Sequence, residues 1–338
     1  MEIKSDYSIK KLNTFGLDVK ARYFTVAETL SNFLELLDTR EFREHPTLIL
    51  GGGSNILFTR DFNGILVKNE LKGITAIKED EDSILIQAQA GEIWDDLVNY
   101  CVSRNYGGLE NLTLIPGTAG ASPIQNIGAY GVEVKDVIFS VEGIDIKTGK
   151  VQSFLNKDCR FGYRNSIFKQ ELKNRFIITS VVYKLAKNPR INLTYEALKN
   201  EFQDVNLNEI TIGDVSETVK KVRRSKLPDP QVLGNAGSFF KNPEIDKEKF
   251  QALKQEYAGI SGYQTEAGGI KIPAGWLIQQ CGWKGKRTGE AGVYEKQALI
   301  LVNYGNAKGV EILELSKKIQ DTVLEKFGIT LETEVNII

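Results

Sequence analysis

The stretch Pro116-Gly-Thr-Ala-Gly-Ala-Ser-Pro-Ile-Gln-Asn-Ile-Gly-Ala-Tyr-Gly131 combines four glycines and two prolines with small and amide side chains, and it carries no charge. A solvated loop would be rich in Lys and Glu, and a core strand would alternate Val and Ile. Glycine permits positive φ and lets a ligand approach the main chain, and successive backbone N–H groups in such a turn form an anion-binding nest. The composition therefore predicts a segment that lies against a large, flat ligand.

A second glycine-rich segment, Leu50-Gly-Gly-Gly-Ser-Asn-Ile-Leu57, follows the apolar run Thr47-Leu-Ile-Leu50. Two such loops far apart in the sequence suggest one extended ligand with a diphosphate, and a dinucleotide cofactor has this form. Neither loop matches the GxGxxG or GxxxxGK[ST] pattern. The residues alone therefore leave open the alternative that both loops are structural turns.

Composition narrows the class of protein. The chain has 338 residues, 41% of them apolar, and a net charge of −1. This length allows two or three domains, and the charge gives no electrostatic basis for binding nucleic acid. The basic run from Lys220 to Lys226 is typical of a solvated helix face. The sequence begins without an apolar signal segment, and no apolar run approaches the roughly 18 residues that span a bilayer. We therefore expect a cytoplasmic protein with no membrane partner.

The cysteines and the histidine limit the possible chemistry. Cys101, Cys159 and Cys281 are far apart, which predicts reduced thiols. The single histidine, His45, precedes a proline in a charged turn. This argues against a histidine-built metal site or a Ser-His-Asp triad, so no metal is expected. Proton chemistry must then use Ser, Tyr, Lys, Arg or a carboxylate.

Hydrophobic periodicity predicts a mixed α and β chain. Helices are predicted over 28–38, from Ile93 to a stop at Gly107-Gly108, around Val215–Val222, from Pro273 through Cys281, and from Ile312 to a stop at Gly328. Strands are predicted at 64–67, 83–87, 176–185 and 298–302, with a hairpin that turns at 147–150. A break at Pro228-Asp-Pro230 predicts a larger N-terminal region and a smaller C-terminal α+β domain.

Seven short motifs occur in one order from about residue 13 to the C-terminus. They are Gly52-Gly-Ser-Asn55, Pro116-Gly-Thr-Ala-Gly-Ala121, Gln125-Asn-Ile-Gly-Ala-Tyr-Gly131, Tyr163-Arg-Asn-Ser-Ile-Phe-Lys169, Leu227-Pro-Asp-Pro230, Gly237-Ser-Phe-Phe-Lys-Asn-Pro243 and Ala274-Gly-Trp-Leu-Ile278. Each motif alone is weak, but the ordered set is specific. With them the chain resembles the UDP-N-acetylenolpyruvoylglucosamine reductase family, the MurB-type flavoenzymes of peptidoglycan synthesis.

The resemblance implies an α+β fold, with an FAD-binding module of the vanillyl-alcohol-oxidase (PCMH) type and a smaller substrate-binding domain. The implied boundaries are 1–71 and 72–226 for the two FAD subdomains and 227–338 for the substrate domain. FAD is expected to bind without a covalent bond, and NADPH is the expected co-substrate. The implied FAD contacts are Gly52, Gly53, Ser54 and Asn55 at the diphosphate, and Pro116, Gly117, Gly120, Ala121, Gln125, Asn126, Gly128, Ala129, Tyr130 and Gly131 along the ribityl chain and isoalloxazine.

Reduction of an enolpyruvyl ether requires hydride at C3, a proton at C2 and stabilisation of the carbanion between these steps. The resemblance assigns these parts to Arg164, Ser238 and Glu334, with Ser238 as the proton donor. Glu332, on the same face of an extended segment, is the rival of Glu334. Lys241 or a water could support the Ser238 hydroxyl, and a turn serine bonded to its own backbone is the structural alternative.

Substrate contacts follow more loosely from the resemblance. Tyr195 matches the tyrosine that covers the substrate diphosphate in the longer family type. Other implied contacts are Arg223, Asn242, Tyr263, Lys284 and Gln297, although Arg224 leaves the register of Arg223 open. One departure is the glycine in the middle of Gly51-Gly-Gly53, where an acidic or polar residue is common, and we expect it to alter little.

Three functions are compared. The first is the reductase, acting as a monomer on UDP-N-acetylglucosamine enolpyruvate. The second is another flavin oxidase or dehydrogenase on the same FAD fold, which would leave Ser238, Lys284 and the Tyr195 segment without a role. The third is a non-catalytic UDP-sugar-binding protein, which predicts loss of Arg164, Ser238 or Glu334, and all three are present.

Overall fold

The computed structural model describes residues 1–265 and 268–338 and divides into two compact units. Unit 1 contains Met1–Tyr7, Ala21–Gly52 and Phe62–Ser225, and unit 2 contains Ser8–Lys20, Gly53–Asp61 and Lys226–Ile338. The division passes through the first glycine loop. The predicted domain boundaries at 71 and 226 stay predictions.

The strands of the described residues are β1 (Lys4–Ser8), β2 (Lys20–Ala27), β3 (Thr47–Leu50), β4 (Ile56–Leu57), β5 (Phe62–Asn69), β6 (Ile74–Glu79), β7 (Ser83–Gln89), β8 (Gly128–Ala129), β9 (Val132–Glu133), β10 (Ile138–Asp145), β11 (Val151–Leu155), β12 (Phe176–Ala186), β13 (Gly234–Ser238), β14 (Glu244–Ile245), β15 (Tyr263–Gln264), β16 (Ile270–Lys271), β17 (Arg287–Thr288), β18 (Ala291–Val293), β19 (Ile300–Asn303) and β20 (Asn336–Ile337). The helices are α1 (Leu30–Leu37), α2 (Arg40–Glu44), α3 (Trp94–Val102), α4 (Glu196–Glu201), α5 (Ile212–Lys226), α6 (Lys247–Glu256), α7 (Ala274–Gln280) and α8 (Gly309–Phe327). In the described part of the chain, none of these helices has the length and apolar character to cross a membrane.

Unit 1 contains a parallel-centred sheet and an antiparallel sheet. The first has the order β1-β2-β5-β3, in which β2 and β3 both run parallel to β5. The second has the order β11-β10-β12-β7-β6 with antiparallel neighbours throughout. Phe33 and Leu36 of α1 pack in one core with Ile144 and Ile177 of the second sheet. Helix α1 therefore helps to join the two sheets of this unit.

Helix α3 ends five residues earlier than the sequence predicts. It stops at Val102 instead of continuing to Gly107. Asn105 adopts φ +57°, a left-handed conformation that ends a helix, and the N–H of Tyr106 bonds the Cys101 carbonyl at 2.9 Å. Asparagine tolerates this conformation nearly as well as glycine does, so the chain turns before it reaches the glycines. Cys101 is fully buried.

Unit 2 is built on the antiparallel sheet β13-β19-β18-β17. Helix α8 buries Ile312, Leu315, Ile319 and Val323, the stripe that the sequence predicts. A small sheet, β14-β16-β15, lies in the same unit. Strand β4 pairs in parallel with β20, so the residues after the first glycine loop lie beside the chain end.

Gly328 ends α8 in the left-handed conformation, with φ +63°, and an added Cβ would meet nothing closer than the Lys249 ammonium at 3.5 Å. Gly328→Ala should therefore add backbone strain without a clash and lower the free energy of unfolding by about 1–2 kcal/mol. Urea denaturation followed by circular dichroism measures the change. Gly213→Ala, at a glycine without positive φ in α5, is the control and should not destabilise. An equal loss in both variants would contradict the assignment to φ.

Candidate active site

The two glycine loops touch through their main chains in unit 1. A Cβ on Gly52 would lie 2.8 Å from Cα of Gly117, and a Cβ on Gly51 would lie 2.5 Å from Oγ1 of Thr118. Gly120 is equally confined, since its Cβ would lie 2.4 Å from that of Ala90. Distances below 3.0 Å leave no room for a side chain, so the sequence needs glycine where the loops meet.

A cleft beside this contact has mostly apolar walls. Its lining residues are Ile49, Gly51, Asn69, Ala90, Thr118, Gly120, Ala121, Ile124, Phe168, Phe176, Ile177 and Ile178. They come from both sheets of unit 1 and from both glycine loops. Apolar walls next to glycine main chain suit a ligand with a flat ring and a phosphate group.

Lys68 holds the first glycine loop in place through a hydrogen bond to its main chain. Its Nζ donates to the Gly51 carbonyl at 2.7 Å and forms an ion pair with Glu70 at 2.9 Å. Burial opposes the charged form of Glu70, but hydrogen bonds and charge from Lys68 and Lys72 outweigh it and lower the pKa of the carboxyl. Residues of β5 and its following turn therefore hold the loop at a partly buried ionic contact.

The second loop holds an unusual backbone. Asn126 and Tyr130 have φ of +47° and +50°, and Gly131 has +82°. The Asn126 side chain is buried and donates to the Glu133 carboxylate at 2.9 Å and to the Gly162 carbonyl at 3.0 Å. Non-glycine residues at positive φ persist where surrounding bonds enforce them, and the Asn126 amide supplies those bonds.

The Arg164 side chain is bonded to the second glycine loop, although its backbone lies in a separate turn. It lies in a hairpin turn closed by the Gly162–Asn165 bridge and has φ +51°. Its guanidinium donates to the carbonyls of Asn126 and Gly128. The structure thus places Arg164 against the predicted cofactor loop and not out in solvent.

Tyr130, Tyr195 and Arg223 form a second cluster in unit 1. The two tyrosine rings meet edge to face, with centroids 5.2 Å apart. Burial raises the pKa of Tyr130, which the nearby positive charge of Arg223 partly offsets, and burial also lowers the pKa of Arg223. Arg224 is exposed. Of the two arginines, Arg223 is therefore the one that faces the predicted site tyrosines.

Ser238 follows a bulge in unit 2. Asn235 pairs with Val302 and Ser238 with Ile300, which leaves an extra residue in β13, and Gly237 has φ +69°. The buried Asn235 amide donates to the Pro228 and Leu233 carbonyls, and its oxygen accepts the Gly237 N–H at 3.0 Å. The Ser238 hydroxyl forms no hydrogen bond with the described residues. The alternative of a self-bonded turn serine is therefore wrong.

Glu334 lies beside the Ser238 strand and beside the first glycine loop's second half, all within unit 2. The Glu334 N–H bonds the Phe239 carbonyl at 2.8 Å. The Asn55 amide donates to the Glu334 carbonyl at 3.4 Å, and the Asn336 N–H bonds the Asn55 carbonyl at 3.1 Å. Asn55, Ser238 and Glu334 are thus brought together by main-chain pairing.

Glu332, the rival of Glu334, forms a solvent-exposed ion pair. Its side chain is 71% exposed and pairs with Lys241 Nζ at 2.9 Å, so Lys241 supports Glu332. Of the apolar residues that follow Glu334, Ile337 is 36% exposed. Val335 is buried, and the segment is held by pairing of the Ile338 N–H with the Leu57 carbonyl at 2.9 Å.

The remaining substrate candidates in unit 2 divide into two groups. Asn242 Oδ1 accepts the Ala274 N–H at 2.9 Å at the start of α7. Gly275 lies close to Gln297, since a Cβ there would be 2.8 Å from the Gln297 Oε1. Tyr263 and Lys284 are exposed, and the structure does not join them to this group.

Sequence reasoning missed Asn235, which shapes the bend before Ser238. A signal was present: an amide residue among Leu, Gly and Ala in Leu233-Gly-Asn-Ala-Gly237 is typical of a side chain that bonds backbone in a tight turn. Lys68 gave no such signal, because a lysine after an apolar strand is common.

Known proteins match the whole chain. A family model described as an FAD binding domain matches residues 21–154, and one described as the C-terminal domain of UDP-N-acetylenolpyruvoylglucosamine reductase matches residues 229–338. The reductase of Flavobacterium johnsoniae is 49% identical over 339 residues and covers 100% of both chains. The chain belongs to the UDP-N-acetylenolpyruvoylglucosamine reductase family. The reductases of Porphyromonas gingivalis and Pseudomonas aeruginosa are 46% and 44% identical and cover 99% or more of each chain.

Solved structures show the fold of the family. The reductase (MurB) of Thermus caldophilus aligns with a TM-score of 0.69 and 23% identity, covering 99% of this chain and 98% of its own. A solvent-stable cholesterol oxidase aligns at 0.51 with 10% identity, covering 98% and 86%. The predicted α+β flavoprotein fold and the FAD cofactor are confirmed. The glycine contact and its apolar cleft fit such a group.

Gly120→Ala tests the confinement of the cofactor loops. Its Cβ would lie 2.4 Å from the Ala90 Cβ, and overpacking of this kind costs about 1–3 kcal/mol. The Kd for FAD should therefore rise at least about tenfold, which titration of the apoprotein by flavin fluorescence measures. Gly259→Ala, whose Cβ would find its nearest atom at 3.8 Å, should leave the Kd unchanged. Unaltered flavin affinity in Gly120→Ala would place FAD elsewhere.

Proposed function

We propose that this chain reduces UDP-N-acetylglucosamine enolpyruvate to UDP-N-acetylmuramate with NADPH, a step in the synthesis of peptidoglycan precursors. The observation that carries the proposal is the joining of Asn55, Ser238 and Glu334 in unit 2. Strand pairing holds Asn55, which belongs to the predicted cofactor loop, near the hydroxyl-bearing Ser238 and the carboxylate-bearing Glu334. Full-length similarity to reductases supports the same conclusion.

Bound FAD supplies the hydride chemistry between NADPH and C3 of the enolpyruvyl group. Ser238 donates the proton to C2, and its position after a rigid bulge fixes the direction of that proton. A hydroxyl without a competing partner among the described residues is available to the substrate. General acid catalysis by a positioned group contributes about 10²–10⁴-fold.

Arg164 and Glu334 stabilise the negative charge that develops on the substrate during the reaction. A carbanion next to a carboxylate requires cationic or hydrogen-bonding stabilisation, which is strongest when the donors are fixed beforehand. The bonds from Arg164 to the second glycine loop fix its guanidinium. The backbone bonds of Glu334 fix its position next to the Ser238 strand.

Tyr195 and Arg223 bind the substrate diphosphate in this proposal. Both lie in the cluster with Tyr130, where the partial burial of Arg223 strengthens its interaction with an anion. Asn242, Tyr263, Lys284 and Gln297 bind the remainder of the UDP-sugar. The enzyme acts as a monomer in the cytoplasm, in accord with its unpaired cysteines.

Ser238→Ala separates proton transfer from flavin reduction. NADPH should reduce the flavin at close to the wild-type rate, whereas reoxidation by the enol ether should slow at least about 10²-fold, since the general acid is lost. Stopped-flow absorbance of the flavin measures both steps. Exposed Ser103 provides the control variant Ser103→Ala, which should change neither. Equal losses in both steps would make Ser238 structural, and wild-type flavin that the enol ether cannot reoxidise would contradict the reductase.

The two C-terminal carboxylates give a matched pair. Glu334→Gln keeps the shape of the side chain but removes its charge, so it should slow reoxidation by the enol ether by about 10²-fold or more and spare FAD binding. Glu332→Gln removes only an exposed ion pair with Lys241, which is worth about 0–1 kcal/mol, and should be nearly silent. The reverse ranking in stopped-flow traces would exchange their roles.

A further inference from the structure

The turn at Glu110–Leu112 is fixed in unit 1 by buried polar contacts on three sides. The Glu110 carboxylate accepts the Gly108 N–H at 2.6 Å, and the Trp94 indole donates to the Leu112 carbonyl at 2.8 Å. The next residue, Thr113, shares a hydrogen bond of 2.9 Å with Ser216 of α5. Buried networks that are fully satisfied rigidify their surroundings, so this turn is a rigid platform.

Asn111 projects from this platform and is only 1% exposed. Its amide nitrogen donates to the Tyr130 carbonyl at 3.0 Å and to the Asn192 carbonyl at 3.0 Å. The first acceptor lies in the second glycine loop, and the second lies three residues before Tyr195. One side chain therefore joins two segments that are otherwise separate in the sequence.

The same segments meet again through their side chains. Tyr195 packs edge to face on Tyr130, with ring centroids 5.2 Å apart, and the positive charge of Arg223 of α5 acts on the Tyr130 side chain. Helix α5 is itself tied to the platform by Ser216. The Glu110–Thr113 turn therefore holds three segments in place: the cofactor loop, the Tyr195 segment and the helix that carries Arg223. Asn111 makes the bonds to the first two of these.

We propose that Asn111 is a positioning residue that sets the spacing between the cofactor loop and the Tyr195 segment, and so couples flavin binding to substrate binding. This rests on the proposed function, because Tyr195 and Arg223 bind the substrate there. Asn111 acts through the two carbonyls and not on the reacting atoms. Its loss weakens binding of the UDP-sugar while the flavin still accepts hydride from NADPH.

Asn111→Ala removes both donors and leaves two carbonyls without this partner. The enol ether concentration that gives half-maximal flavin reoxidation should rise at least about tenfold, as expected for two lost hydrogen bonds. The maximal reoxidation rate and the rate of reduction by NADPH should stay within about twofold, because binding alone is affected. Asn111→Ser keeps one donor and should restore part of the affinity. A fall in both rates with unchanged half-saturation would overturn the proposal.

Asn156→Ala is the matched control, because the Asn156 amide also donates to two backbone carbonyls, those of Lys135 and Ile138, at 2.7 and 2.8 Å. It removes a pair of bonds of the same kind from a half-buried side chain in unit 1, but Asn156 joins neither substrate segment, so half-saturation should not change. A shift as large as that of Asn111→Ala would mean that any such loss loosens the unit, and would also overturn the proposal.

Limited trypsin digestion of the FAD-bound enzymes tests the coupling without turnover. Arg190 and Lys199 flank the Tyr195 segment, so Asn111→Ala should be cleaved after them at least severalfold faster than wild type or Asn156→Ala, since opening of a segment governs its proteolysis. Equal cleavage in all three would contradict the positioning role. This result does not depend on the enol ether, so failure of the reductase assignment and failure of the Asn111 proposal are distinguishable.

Discussion

The contact between two glycine-lined main chains is the constraint on which the proposed cofactor site depends. Gly51 and Gly52 approach Gly117 and Thr118 so closely that a Cβ has no room. Backbone N–H groups from two distant segments are thereby gathered at one place. Lys68 holds one side through the Gly51 carbonyl, and Asn126 holds the other through Glu133 and Gly162. Arg164 is held against the second loop by its bonds to the Asn126 and Gly128 carbonyls. The Tyr130 cluster is held there by the bond from Asn111 to the Tyr130 carbonyl.

Buried amide side chains stabilise the backbone at three places where it is neither α-helix nor regular strand. Asn126, Asn235 and Asn111 are buried, and each side chain bonds main-chain groups: those of Asn126 and Asn111 reach distant segments, and that of Asn235 bonds its own turn. An amide supplies donors and an acceptor without a net charge, so its burial avoids the desolvation penalty of an ion. This permits a strained loop, a bulge and a rigid turn to be held precisely enough for chemistry by uncharged groups.

Much of the fold follows from local pattern, because apolar period and turn residues act over short range. The stripe of α8, the hairpin at 147–150 and the glycine loops are of this kind. The end of α3 at Val102 was missed because Asn105 took the left-handed conformation before Gly107 could. The seven motifs predict the site residues, whereas the groups that hold those residues in place are seen only in the structure. The pairing of Lys241 with Glu332 is a contact between distant segments that no single-sequence pattern records, whereas the bulge at Asn235 left a local signal that was missed.

The pairing of β4 with β20 has a consequence for biosynthesis. Asn336 bonds the Asn55 carbonyl across 281 residues of sequence. Folding that depends on such long-range contacts is slow, because the chain loses loop entropy before the contact forms. On the ribosome, residues 53–57 cannot pair with β20 until the chain has been synthesised through Ile337. The second half of the first glycine loop therefore gains its strand contacts late, and a nascent chain that stops short of β20 lacks the pairing that holds Asn55.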